Sequence, residues 1–230
     1  MIYFYDIFER SFNLFDDPDI SQKYYNDQAG FQQDMLGFLI NGKNKFTYPT
    51  VITDQLVVCD EPEGKMEIID GEDTDTYVLE STPKTGSGFT YRIGNELVSG
   101  SYNAETNAVT FSRDVKSGET CSVTWFYAGA FTADFSNCLR KDLPISAIME
   151  KVITILAYGL VSAWADKEVG RVIEVRNILT DHDFKMYSPA NSANAKVAWR
   201  NQMNRDMDTL ISELNWRIMS TPKGGSRFGK

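Results

Sequence analysis

At 230 residues, with 42% hydrophobic and 13% aromatic content, the chain holds apolar material for one sizeable core and a smaller second one, which excludes a disordered protein. Its formal net charge of -9 is unevenly laid down: residues 1–138 carry 9 Lys and Arg against 22 Asp and Glu, while residues 139–230 carry 14 against 10. Three cysteines, Cys59, Cys121 and Cys138, form an odd set at spacings that match no zinc pattern, so they read as reduced thiols of a cytoplasmic protein.

The N-terminus meets Asp6 and Glu9 early and lacks a cationic region, so no secretory signal is expected there. Ile2, Tyr5, Phe8 and Phe12 recur near helical spacing up to Asp16-Asp17-Pro18, where proline disfavours helix at the residue before it. A second helix is predicted over Phe31 to Leu39, with Phe31, Met35, Phe38 and Leu39 on one face and Asn41-Gly42 as its stop. Tyr48-Pro49-Thr50 then opens an extended stretch. Asp54 to Glu80 is strongly acidic, with ten carboxylates against Lys65 alone.

The period next changes to two. Tyr77 to Leu79, and Met66 to Ile68 before it, read as strands. Phe89, Tyr91 and Ile93 alternate before a tight turn at Gly94-Asn95, and Leu97 to Tyr102 returns the chain. Turns at residues 103–107 and 116–119 lead into Val109 to Phe111 and Cys121 to Tyr127, where Val123, Trp125 and Tyr127 share a face. These strands suffice for a small antiparallel sandwich or barrel. Trp125 reads as its core centre, although an aromatic on such a sheet can also stack on a sugar.

From Pro144 the helical period resumes and holds. Ile145, Ile148, Met149, Val152, Ile153, Ile155, Leu156 and Leu160 predict a buried helix; its uncharged run, Val152 to Ala165, is shorter than the roughly 20 apolar residues a bilayer requires, so no membrane is expected. Asp166 to Thr180 continues on a narrower face. The last helix, Ala190 to Met219, carries Trp199, Met203, Met207, Leu210, Leu214 and Ile218 as an amphipathic stripe. The fold class is therefore α+β: a helical body from residues 1–55 and 136–220, a self-contained antiparallel β-domain inserted at 56–135, and a flexible tail at 221–230.

Candidates for chemistry are sparse. Gly224, Gly229 and Lys230 match the spacing of a phosphate loop without the strand before it or the Ser or Thr after it. His182, the single histidine, lies in Asp181-His182-Asp183 with no second ligand at i+4. Asp70 to Asp75 has calcium-loop composition, but its glycine is at the second position where an EF-hand needs it at the sixth. No enzyme activity, cofactor or metal is expected.

The order of parts, together with Phe31-Gln32-Gln33-Asp34-Met35-Leu36-Gly37-Phe38-Leu39, the segment Ile145 to Trp164 with Ala165-Asp166-Lys167-Glu168, Asp183-Phe184-Lys185 and Ser188-Pro189-Ala190-Asn191, resembles the head-to-tail connector (adaptor or head-completion) proteins of tailed bacteriophages. The β insertion departs from their smallest, all-helical members. The resemblance implies a virion neck protein assembled in the bacterial cytoplasm, a ring of twelve identical subunits below the portal protein and above a tail-side stopper or tail protein, with double-stranded DNA passing through. It further implies that the C-terminal segment docks on the portal, here through Arg217, Lys223, Arg227, Phe228 and Lys230. Because cations would grip phosphates, an acidic channel suits sliding DNA. Asp60, Glu61, Glu63, Asp70, Glu72, Asp73 and Asp75 could line it, or could simply face solvent. The rival reading is a carbohydrate-binding or surface-adhesion β-sandwich with Trp125-Phe126-Tyr127 as its platform.

Overall fold

A computed structural model describes residues 1–15, 17–136, 144–180 and 189–220. The chain is mixed α and β, with terminal helices flanking a run of antiparallel strands. It forms two compact units, one of residues 1–40 and 57–132 and one of residues 41–56 and 133–230.

The first unit is a β-sandwich with helices attached. One sheet orders four strands as β2 (Glu63–Asp70), β8 (Thr120–Tyr127), β4 (Gly88–Ile93) and β5 (Glu96–Val98); the other orders β3 (Thr74–Val78), β7 (Ala108–Val115) and β6 (Gly100–Asn103). All neighbours are antiparallel. Between them Tyr91, Ile93, Val109, Phe111, Val115, Cys121, Val123 and Trp125 make the core, so the inward face read at Val123, Trp125 and Tyr127 is as expected. The return predicted over Leu97 to Tyr102 is broken: β5 pairs with β4 in one sheet, and β6 pairs with β7 in the other. Gly100 makes this switch feasible, because a Cβ there would lie 2.7 Å from the Tyr91 ring.

The N-terminal helices belong to this unit, where the sequence reading grouped them with the C-terminal ones. The cause is pairing. β1 (Ile2–Tyr3) lies antiparallel to β9 (Ala130–Phe131), and the Phe4 and Phe131 rings meet at 4.5 Å. From there α1 (Phe4–Phe12), α2 (Pro18–Asn26) and α3 (Gln28–Lys45) gather Phe8, Phe12, Phe15 and Tyr24 around the fully buried Phe31. Side chains around the start of α3 hold β4: Gln28 accepts from the Phe89 N–H (3.3 Å) in place of a ladder partner, and Asp27 accepts from the Thr90 hydroxyl (2.6 Å). Phe4 is core for the same reason.

In the second unit, α3 does not stop at Gly42. It crosses α5 (Ile145–Thr180) where two glycines coincide, so close that a Cβ on Gly42 would stand 2.3 Å from the Gly159 carbonyl carbon. The glycine read as a helix stop is a crossing point. Beyond it, Lys45 donates to Ser162 (2.7 Å) and to Asp166 (2.6 Å). Thr50–Thr53, expected to be extended, forms the short helix α4 after a cis Tyr48-Pro49 bond.

α5 is one continuous helix of 36 residues, about 54 Å long, and α6 (Pro189–Met219) runs antiparallel to it. Contacts fix the register: Lys151 to Glu213 (2.5 Å), Trp164 against Trp199 (5.8 Å), and Glu168 to Lys196 (3.6 Å). Ile148, Val152, Ile155, Leu156, Leu160 and Val161 are fully buried along α5, and Met203, Met207, Ile211, Leu214 and Ile218 are buried along α6. Ile211 takes the buried place expected of Leu210, which is half-buried. By length and composition alone, Ile145–Arg171 could cross a membrane, which corrects the argument that the apolar stretch is too short. Of its apolar window, 56% is buried inside the chain.

Two expectations follow from these contacts. Gly42→Val should cost about 3 kcal/mol, since backbone atoms cannot yield to the added carbons, whereas Gly37→Ala on the same helix, with open space around its Cα, should gain up to about 1 kcal/mol. Denaturant melts of the two variants check both signs. At the turn from β7 to β8, the Arg113 guanidinium (2.8 and 3.2 Å) and then the Lys116 N–H (3.0 Å) hold the Glu119 carboxyl down at about 2. A lowered folded-state pKa contributes stability above the ordinary value of 4.5 that is lost as pH falls from there through about 2. Glu119→Gln should therefore flatten the acid limb of the stability profile in that window.

Candidate functional site

Three features of the two units can meet a partner or ligand. The first is the end of the helical hairpin. The antiparallel register brings the start of α5 and the end of α6 together, and there Ile145 is 39% exposed, Trp216 74% and Met219 65%. Large apolar side chains exposed near the end of a helical hairpin can serve as contact residues. Arg217 is exposed as well. Lys223, Arg227, Phe228 and Lys230 lie outside the described residues, as do the phosphate-loop match at Gly224 and Gly229, Cys138, and Asp181-His182-Asp183.

The second feature is the acidic segment, which the structure does not gather into one patch. Asp60, Glu61 and Glu63 stand at the start of β2 and Asp70, Glu72, Asp73 and Asp75 beyond its end, about 24 Å away along an eight-residue strand. Some are already engaged: Asp60 accepts from the Tyr127 hydroxyl (2.8 Å), Glu63 pairs with Lys84 (3.1 Å), and Asp73 accepts from Ser117 N–H (3.1 Å). Glu61, Asp70 and Glu72 are exposed. β2 is an edge strand whose outer face also displays Met66 and Ile68, at 56% and 68% exposure. Among the described residues no three His, Cys, Asp or Glu side chains come together to hold a metal.

The third feature was not anticipated. Between the N-terminal helices and the open end of the sandwich, all within the first unit, lies a cleft of about 660 Å³. One wall presents Tyr3, Tyr5, Tyr24 and Tyr25; the opposite wall presents Phe89, Tyr91 and Tyr102, whose rings are nearly parallel, Phe89 within 14° of Tyr91 and 24° of Tyr102. Gly86, at φ +87, turns the connecting loop past the Tyr3 and Tyr5 side chains. Ser87 beside it buries a hydroxyl that has no hydrogen-bond partner among the described residues. Burial pushes the Tyr91 and Tyr102 phenols above their ordinary range. It does the same for Tyr5 and Tyr24, with the Glu9 carboxylate adding to it. Tyr5 donates to Glu9 at 2.5 Å. All four are neutral donors and acceptors across the physiological range.

No sequence period could have revealed this cleft, because its tyrosines come from elements that meet only after folding. The aromatic platform the sequence did suggest is not there. Trp125 and Tyr127 point into the sandwich, 4% and 3% exposed, and Phe126 points to the opposite face. The chain matches no family model, no curated protein and no solved structure.

The phenols offer a measurable signature. A folded-state pKa raised above the ordinary value near 10 contributes stability that is present below that pH and is lost as pH rises through the folded value. An alkaline absorbance titration of the folded chain should therefore leave part of its tyrosine signal unexpressed above pH 10 until the protein unfolds. Glu9→Gln should bring forward the ionisation of Tyr5 and Tyr24.

Proposed function

We propose that this chain is a structural virion protein, a head-to-tail connector that forms a ring of twelve copies below a portal, extends the DNA channel and joins head to tail. The observation that carries the reading is the exposed apolar end of the α5 and α6 hairpin, from which the chain runs into a cationic, glycine-containing segment at residues 221–230. A short cationic segment with one large apolar residue, Phe228, cannot form a core but can order on a partner surface. Trp216 and Arg217 beside it supply residue types enriched at interface centres.

In this reading the carboxylates at both ends of β2 are spread along the path of the DNA, repelling phosphates over the length of a strand. The long paired helices give the subunit a stiff body that can be set side by side with its neighbours. The role is architectural rather than catalytic.

Mass measurement of the purified chain, alone and with a portal ring, is the test. Ring-sized oligomers are expected, as is capture by the portal. Trp216→Ala, exposed in the subunit, should weaken that capture at least tenfold with the melting temperature unchanged, and removal of residues 221–230 should abolish it in the same way. A strict monomer at every concentration, indifferent to the portal, sinks the connector reading.

A further inference from the structure

The aromatic cleft belongs to the first unit, whereas the hairpin end that carries the connector reading belongs to the second, and the lining of the cleft has its own chemical logic. Tyr91 is buried, most of the other rings are half-buried, and Tyr25 stands 73% exposed at the rim. Around them stand neutral groups that both donate and accept hydrogen bonds: the phenols, the Asn26 amide, and the Ser99 and Ser101 hydroxyls. Only Asp6 and Lys84 among its lining residues are charged, one of each sign, and Lys84 is paired with Glu63. The volume lies in the range of ligand clefts, about 300–1,000 Å³.

We propose that this cleft binds a neutral oligosaccharide of pyranose rings. A pyranose has an apolar face of C–H bonds and a rim of hydroxyls. The C–H face suits the electron-rich face of an aromatic ring, and the hydroxyls match groups that can act as donor or acceptor. Phe89 stacks on Tyr102 (4.7 Å) and on Tyr91 (6.1 Å), so these rings border the cleft as one packed column, and the exposed Tyr25 ring supplies a free face on which a pyranose can stack. Polyanions are disfavoured: the unit holding the cleft carries 7 Lys and Arg against 20 Asp and Glu, which repels nucleic acid and phosphate alike. A lone organic cation would need a closed aromatic box, and this cleft is open and wide. A proline-rich peptide is the remaining occupant of an aromatic groove, but such a peptide presents few hydroxyls to satisfy the polar rim.

Saccharide binding here does not require the second unit to dock on a portal, so the two readings stand or fall separately. The full-length chain is titrated with maltohexaose, cellohexaose, mannohexaose and chitohexaose at up to millimolar concentration, and with a decaproline peptide, followed by amide chemical shifts and calorimetry. At least one hexasaccharide should bind saturably, with shifts centred on Gly86, Ser87 and Ser99 to Tyr102. Tyr25→Ala, at an exposed position, should weaken that binding at least tenfold. Ser101→Trp, also exposed and filling the cleft from β6, should abolish it, both variants keeping the wild-type melting temperature. Met66→Ala, on the outer face of β2 and not among the residues lining the cleft, should bind as wild type. The proposal is overturned if none of the four saccharides binds, if binding survives both cleft substitutions, or if only the decaproline peptide binds.

Discussion

The helical unit depends on a contact that involves no side chain. Where α3 crosses α5, Gly42 and Gly159 bring two backbones within what a single Cβ would forbid, and the Met207 side chain from α6 closes against the same point. That approach lets Lys45 reach the fully buried Ser162 and, beyond it, Asp166, while Ser162 also donates to Asn204 of α6. A hydroxyl buried in a helix this apolar would be costly alone. With a lysine on one side and an amide on the other it becomes the place where three helices are keyed together. Dispersion between the closely approaching helices, and the polar key beside them, are both consequences of two missing methyl groups.

Much of this was legible in the sequence, and the reasons for the exceptions are specific. The 3.6 period of α5 and α6 and the alternation through β4, β7 and β8 are set by which face is buried, so they could be read directly. Gly42 could not, because a glycine that ends a helix and a glycine that admits another backbone look the same along one chain. Pro49 suggested an extended segment, but its carbonyl accepts the Ile52 and Thr53 N–H groups and starts a helical turn. The step from β5 to β6 at Ser99 occurs in a segment whose pattern is that of a single strand; only the positions of β4 and β7 divide it.

The N-terminal helices show the limit most clearly. Their period groups them with the other helices, yet they fold into the strand-containing unit. What decides the grouping is a two-residue strand, Ile2 and Tyr3, too short to carry a period, plus Gln28, which takes the place of a missing sheet partner for the Phe89 N–H, and Asp27, which bonds the Thr90 hydroxyl. The unforeseen cleft is a direct result. Without β1 paired to β9, Tyr3 and Tyr5 would not face Phe89 and Tyr102, so the same short pairing that assembles the unit also assembles its aromatic site.

Charge follows this regrouping. The first unit holds 7 Lys and Arg against 20 Asp and Glu, and the second 16 against 12, so a net -13 resides in one body and +4 in the other. Polarity that looked like a gradient along the chain is therefore a difference between two folded units. In the acidic body some carboxylates bind backbone donors: Glu67 in β2 accepts from the Glu80 and Ser81 N–H groups, and Glu119 at the β7–β8 turn accepts from the Lys116 N–H. Carboxylates used in this way serve backbone donors first. In the connector role proposed above, the repulsion of passing phosphates would then follow from a surface built for the turns of a sandwich, with no separate lining required.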